Sequence, residues 1–125
     1  NVVFHRVIDG FMAQTGDVKF GNSNSKEFNL SLAGTGGSDM PDLPAEFSNI
    51  PFDRGIVGMA RAQNPNSANS QFFIMFKEGY FLNGQYTVVG KVVAGMDVID
   101  DIKLGLGSNG SVLGSPDFME QVRQK

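Results

Sequence analysis

A permanent cation stands inside an otherwise apolar run. Arg6 lies within VFHRVIDGFMAQTGD (Val3–Asp17), flanked by the valine, isoleucine and phenylalanine of a strand-like sequence. A guanidinium in such a setting either faces water in a surface ion pair or faces a ligand. Three familiar chemistries fail here. The chain has no cysteine, which removes thiol catalysis, and a single histidine without cysteine speaks against zinc. A Ser/His mechanism would need His5 as base, but strand alternation puts His5 on the opposite face from Arg6, and it reads as a satisfied structural residue. There is no G-x-S-x-G elbow. Gly105–Gly110 (GLGSNG) fits G-x-G-x-x-G but follows a helical pattern and lacks the strand–turn–helix setting that would hold a phosphate. Gly34–Asp39 (GTGGSD) lacks the lysine and helix of a phosphate loop.

What remains is one arginine, amides and apolar surface. Rotation about the peptide bond preceding proline is a reaction that needs no more. Its barrier of about 18–20 kcal/mol comes from amide resonance, and no covalent bond is made or broken. A catalyst has to grip the proline, exclude water, and donate toward the nitrogen as it becomes pyramidal and basic, an interaction made mainly in the transition state.

The elements that must position these groups are short. Val2–Ile8 reads as a strand, Asp9-Gly10 as a turn, and Phe11–Thr15 as a second strand. A two-residue Asp9-Gly10 turn would set Arg6 opposite Ala13, whereas a three-residue loop with a bulge would set it opposite Gln14. Residues 16–55 are loop punctuation throughout, an unusual length that is often functional. Gly55–Ala62, Gln71–Phe76 and Tyr86–Val93 read as strands. Met96–Leu104 reads as a helix stopped by Gly105, residues 105–116 as a Gly/Ser loop, and Phe118–Val122 as a closing strand. Many short strands with glycine-rich turns and one helix predict a mainly β sandwich or barrel.

The size suits one domain over residues 1–125, and 41% hydrophobic against 18% charged residues marks a globular chain. A net charge of −3 without a basic face argues against nucleic acid, and no apolar stretch approaches membrane-spanning length. The chain opens already in strand-like sequence, so an upstream segment is expected.

Three stretches, VFHRVIDGFMAQTGD, GIVGMARAQNPNSANSQFFI and FLNGQYTVVGKVVAGMDVID, occur in the order found in cyclophilins. Together they cover roughly two-thirds of the sequence, and the chain resembles a bacterial-type cyclophilin peptidyl-prolyl cis-trans isomerase. The resemblance implies an eight-stranded antiparallel barrel with capping helices, here lacking the first strands and first helix. It implies isomerisation of X–Pro bonds as a folding helper. The alternative is a non-catalytic module that binds proline-containing segments, and a further option is an interaction subunit using residues 16–55. The resemblance also implies no cofactor, and by family habit a cytoplasmic monomer, although the absence of cysteine fits the periplasm equally.

Site residues follow from the same resemblance. Arg6 matches the catalytic arginine, Phe11 and Met12 the lining of the proline pocket, and Gln14 the glutamine that holds the arginine; that last role needs Gln14 opposite Arg6, so the resemblance implies the three-residue loop with a bulge. Ala60, Arg61 and Ala62 match the edge along which substrate backbone runs, with contact at Arg61 through its carbonyl. Gln71 and Phe73 match a polar contact and the pocket floor; Phe81, Leu82 and Tyr86 match the remaining wall. Phe81 stands where many members carry tryptophan, which implies weak cyclosporin binding. Tyr86 replaces histidine, Arg61 replaces asparagine, and one residue is added between Ala62 and Pro65. Gln14 and Gln71, embedded among apolar neighbours, are expected to have hydrogen-bond partners.

Overall fold

A computed structural model describes residues 1–125 and is mainly β. The strands are β1 (Val2–Val3), β2 (Arg6–Ile8), β3 (Met12–Thr15), β4 (Ile56–Met59), β5 (Phe72–Met75), β6 (Val88–Lys91) and β7 (Phe118–Met119). A 3₁₀ turn spans Tyr80–Leu82, and helix α1 spans Met96–Asp100. Five strands form one antiparallel sheet in the order β2-β3-β5-β4-β6, while β1 pairs with β7 alone.

Each sequence-derived strand is shorter than expected, and the first is divided. Val2–Ile8 breaks at Phe4-His5, because Phe4 N–H is taken by Asp117 C=O (2.8 Å) and the strand before it belongs to the other ladder. The loop between β2 and β3 holds three residues, Asp9–Phe11, and Arg6 pairs with Gln14 as expected. Phe11 N–H closes the turn on Ile8 C=O at 3.0 Å, with Gly10 at φ 68°. That backbone value suits glycine at the third position of a turn. The helix stops at Asp100 rather than Leu104. Lys103 N–H is captured by the Asp117 carboxylate (2.7 Å), and Ile102 N–H bonds to Ile99, three residues back, so the final turn cannot continue as α. Arg54 forks onto Asp100 (2.7 and 2.8 Å) and Phe76 C=O (2.8 Å), tying α1 to the sheet.

Two apolar clusters follow from period-two alternation. One face of the sheet gives Val7, Ala13 and Ile74 to a cluster with Phe4, Ile102 and Val112. The other gives Met12, Ile56, Phe73 and Met75 to a cluster with Phe52 and Leu82. Phe52, which no strand contains, is fully buried, and burying such a side chain contributes about 1.5–3 kcal/mol.

The glycine-rich stretches have structural work. The segment Gly105–Ser111 folds back on itself and covers the open side of β2, with Val7 N–H donating to Gly110 C=O and Gly105 N–H to Val7 C=O (both 2.8 Å). In the 16–55 region, the amides of Gly34 and Gly36 point inward to the Asp17 carboxylate (2.8 and 2.9 Å). A phosphate would need those donors, and Asp17 already occupies them.

Candidate functional site

Pairing registers align Arg6, Gln14, Phe73, Gly58 and Val88 in one row across all five strands. This row is the foundation of the site. Gly58 is required within it: a Cβ there would come within 2.6 Å of Phe73 and 2.7 Å of Phe52, whose rings stack at 5.8 Å. From sequence, Gly58 is simply part of the strand Gly55–Ala62. Only the ring positions above it show why a side chain is excluded.

From that row a chain of polar contacts runs along one edge. Arg6 Nη1 donates to Gln14 Oε1 (3.2 Å), Gln14 Nε2 donates to Gln71 Oε1 (2.9 Å), and Gln71 Nε2 donates to the carbonyls of Gly34 (3.0 Å) and Gly36 (2.8 Å). Both glutamines therefore have the partners expected of them. Arg6 Nε donates to Asn109 C=O at 2.9 Å, a restraint the sequence did not reveal because residues 105–116 looked like plain loop. Nη2 makes no hydrogen bond within the protein, and no carboxylate pairs with Arg6, since the molecule's ion pair joins Arg54 to Asp100. Arg6 thus departs from the alternative of a surface salt bridge.

Beside the guanidinium opens a cavity of about 130 Å³ lined by Arg6, Phe11, Met12, Gln14, Ala60, Arg61, Phe73, Leu82 and Tyr86. Six of its nine lining residues are hydrophobic, and it is large enough for about four waters at ~30 Å³ each. Phe73 meets Tyr86 edge to face, with centroids 5.7 Å apart. Of the twelve side chains named from sequence, three stand outside this lining. Phe81 is 72% exposed and leans against Phe11 at the rim (5.5 Å). Ala62 and Gln71 line an adjoining polar groove of about 380 Å³, shared with Gln14, Ala60, Arg61 and the Gly34–Ser38 loop.

His5 is buried, only 6% exposed, and sits under Gly34, where a Cβ would approach its ring to 3.1 Å. It is structural, but it is not satisfied: neither ring nitrogen has a partner, which corrects the sequence reading. Gln71 Nε2 donates both hydrogens to the two glycine carbonyls, and its Oε1, which accepts from Gln14, exerts only a minor pull toward the charged form of His5. Burial lowers the pKa of His5 below its ordinary 6.5, with the Arg6 charge acting in the same direction and the Asp17 charge opposing. Asp17 is fully buried by surface. Burial pushes its carboxyl up, but the amides of Phe20, Gly36, Gly34 and Lys19 outweigh that and hold it below the ordinary carboxylate value. No cluster of three or more His, Cys, Asp or Glu side chains is present.

The model of the family described as cyclophilin type peptidyl-prolyl cis-trans isomerase/CLD matches residues 1–123. The chain belongs to this family. A Brucella abortus (strain 2308) protein described as "Probable peptidyl-prolyl cis-trans isomerase" is 69% identical over 116 residues, covering 93% of this chain and 59% of that protein. An Acinetobacter baylyi peptidyl-prolyl cis-trans isomerase is 41% identical over 106 residues, covering 80% of this chain and 50% of its own length. This cyclophilin chain therefore spans about half to three-fifths of the length of these two curated relatives. A Cryptosporidium parvum cyclophilin-type isomerase, solved in the presence of the dipeptide Ala-Pro, superposes with a TM-score of 0.68 at 29% identity, covering 90% of this chain and 68% of that one. A Hirschia baltica cyclophilin superposes at 0.65 with 24% identity over 83% of this chain and 53% of that one, which supports the fold. No helix of this cyclophilin chain is long and apolar enough to cross a membrane.

Proposed function

We propose that this chain catalyses cis-trans isomerisation of X–Pro peptide bonds, with the pyrrolidine ring seated among Phe11, Met12, Phe73, Leu82 and Tyr86. The observation that carries this reading is the Arg6 guanidinium, which borders the 130 Å³ cavity lined by Phe11, Met12, Phe73, Leu82 and Tyr86 with its Nη2 unengaged. Gln14 and Asn109 C=O fix the other side of the guanidinium, so its position costs no reorganisation when the amide twists. Nη2 then donates toward the prolyl nitrogen as conjugation is lost. Expulsion of water from the cavity strengthens that interaction. No proton is transferred and no covalent intermediate forms.

Substrate backbone runs along Ala60–Ala62 in this reading. The backbone N–H and C=O of Arg61 make no hydrogen bond within the protein and are available to an extended peptide. Gln71 anchors the relay and borders the groove on the preceding side. Phe81 at the rim offers an aromatic face but no N–H donor, consistent with weak cyclosporin binding.

The test is Arg6→Ala, assayed by exchange NMR on an Ala-Pro peptide. Removing one preorganised donor costs about 2.7–4 kcal/mol of barrier, or roughly two to three orders of magnitude in rate, while the thermal midpoint holds. A rate loss that simply tracked unfolding would refute the role of Arg6. Wild-type binding of the peptide without acceleration would select a proline-binding module instead.

A further inference from the structure

Arg61 lines both the apolar cavity and the polar groove. The family reading assigns it only a backbone contact, yet its side chain is one of the most engaged in the molecule. Nε and Nη2 both donate to Gln85 C=O (3.1 and 2.8 Å), and Nη1 donates to Ala62 C=O (2.9 Å) and Gln63 C=O (3.2 Å). One planar fork thus joins two segments 24 residues apart. Its face lies over the Tyr86 ring, with the guanidinium carbon 4.6 Å from the centroid. No carboxylate neutralises it.

Tyr86 needs such a restraint. It lies between the 3₁₀ turn and β6, its backbone makes no hydrogen bond, and its hydroxyl has no partner. The ring is held by its edge-on contact with Phe73 and by the cation above it. We propose that Arg61 is a positioning residue that fixes Tyr86 and thereby sets the width of the pocket, selecting the five-membered prolyl ring over larger cyclic imino acids. The ring-size consequence rests on the isomerase reading; the clamp itself does not. Lysine cannot substitute, because a point charge on a flexible stem can sit over the ring but cannot bridge both sets of carbonyls.

The chain has two tyrosines and no tryptophan. In a Tyr80→Phe background, which removes only a surface bond to Asp53, fluorescence reports Tyr86 alone. Three readouts on the full chain test the proposal in Arg61→Ala and Arg61→Lys: iodide quenching of Tyr86, affinity for Ala-Pro against Ala-pipecolic acid, and the kinetics of Ala-Pro peptide exchange. Arg61→Ala is expected to raise Tyr86 quenching, to narrow the preference for Ala-Pro, and to raise KM about five- to tenfold with much the smaller change in kcat. Arg61→Lys is expected to recover only part of the quenching and little of the preference. Quenching and ring-size preference unchanged in Arg61→Ala would overturn the clamp, as would a loss confined to kcat. A wild-type chain that fails to accelerate exchange defeats the isomerase reading, while quenching still decides the clamp.

Discussion

The two sides of the site are held by opposite means. On one side, Arg6, Gln14 and Phe73 stand in register on a sheet whose backbone groups pair with each other and whose apolar residues pack above and below. On the other, the loop that closes the polar groove has no regular structure, and two buried or half-buried side chains organise it. Asp17 gathers the amides of Lys19, Phe20, Gly34 and Gly36 at 2.8–3.0 Å. Asn69 accepts from Ser38 N–H (2.7 Å) and Oγ (2.8 Å), and donates to Met40 C=O and Asp42 (both 3.0 Å). Gln71 touches both sides, through Gln14 and through the two glycine carbonyls. A ladder spreads its stability over many bonds, whereas a hub concentrates it in one ionisable group. The first should fail by loss of volume, the second by loss of a charge.

Phe73→Ala tests the sheet side at its strongest point. It should cost about 3–5 kcal/mol of stability, read from denaturant unfolding, because the ring bridges Phe52, Tyr86 and the space above Gly58. A loss below about 1 kcal/mol would mean the pocket floor is not part of the core. Arg6→Ala comes next, with its cost of about 2.7–4 kcal/mol appearing in the reaction barrier and not in folding. That separation of activity from stability within one row of residues is itself a prediction about the sheet.

Asp17→Asn tests the loop side. It keeps the shape, removes the charge and turns one acceptor into a donor facing backbone amides. A cost of about 1.5–3 kcal/mol is expected, with amide exchange quickening at Gly34 and Gly36 while the β2–β3 amides keep their protection. Equal quickening in both regions would erase the distinction between ladder and hub.

Acid sharpens the comparison with a smaller effect. His5 and Asp17 both have folded pKa values below their ordinary ones, so the unfolded chain binds more protons and stability falls as pH falls. The His5 contribution is complete above its ordinary 6.5 and is lost as pH drops below that toward the lowered folded value. The Asp17 contribution is complete above 3.8 and is lost below it. Urea midpoints measured from pH 8 to pH 2.5 should show two stages, with His5→Leu flattening the upper stage and Asp17→Asn the lower. A single stage untouched by His5→Leu would show that the buried imidazole does not titrate with folding.

Much of the sheet was legible because period-two alternation, β-branched residues and glycine turns are local signals. The Arg6–Gln14 pairing followed from the resemblance, since the local Asp9-Gly10 signal alone sets Arg6 opposite Ala13, and the roles of both glutamines as bonded groups followed from their apolar neighbours. Element ends were overestimated where a remote group intervened, as Asp117 does in the first strand at Phe4 and after the helix at Lys103. Asp17, Gly58, Asn69 and Asn109 went unread. Each acts at least partly on groups more than ten residues away, and nothing in the local sequence marks a carboxylate that will turn inward or a glycine that will lie beneath two rings.

The sequence by itself determined which residues alternate, where the backbone turns, and that no thiol is available for catalysis. Tertiary structure decided which groups share a cavity, that both nitrogens of His5 go without partners, and that the Arg61 side chain lies over Tyr86. The reason is physical: alternation and turn preference are properties of neighbouring residues, while desolvation and hydrogen-bond completion depend on atoms the folded chain brings together from distant positions.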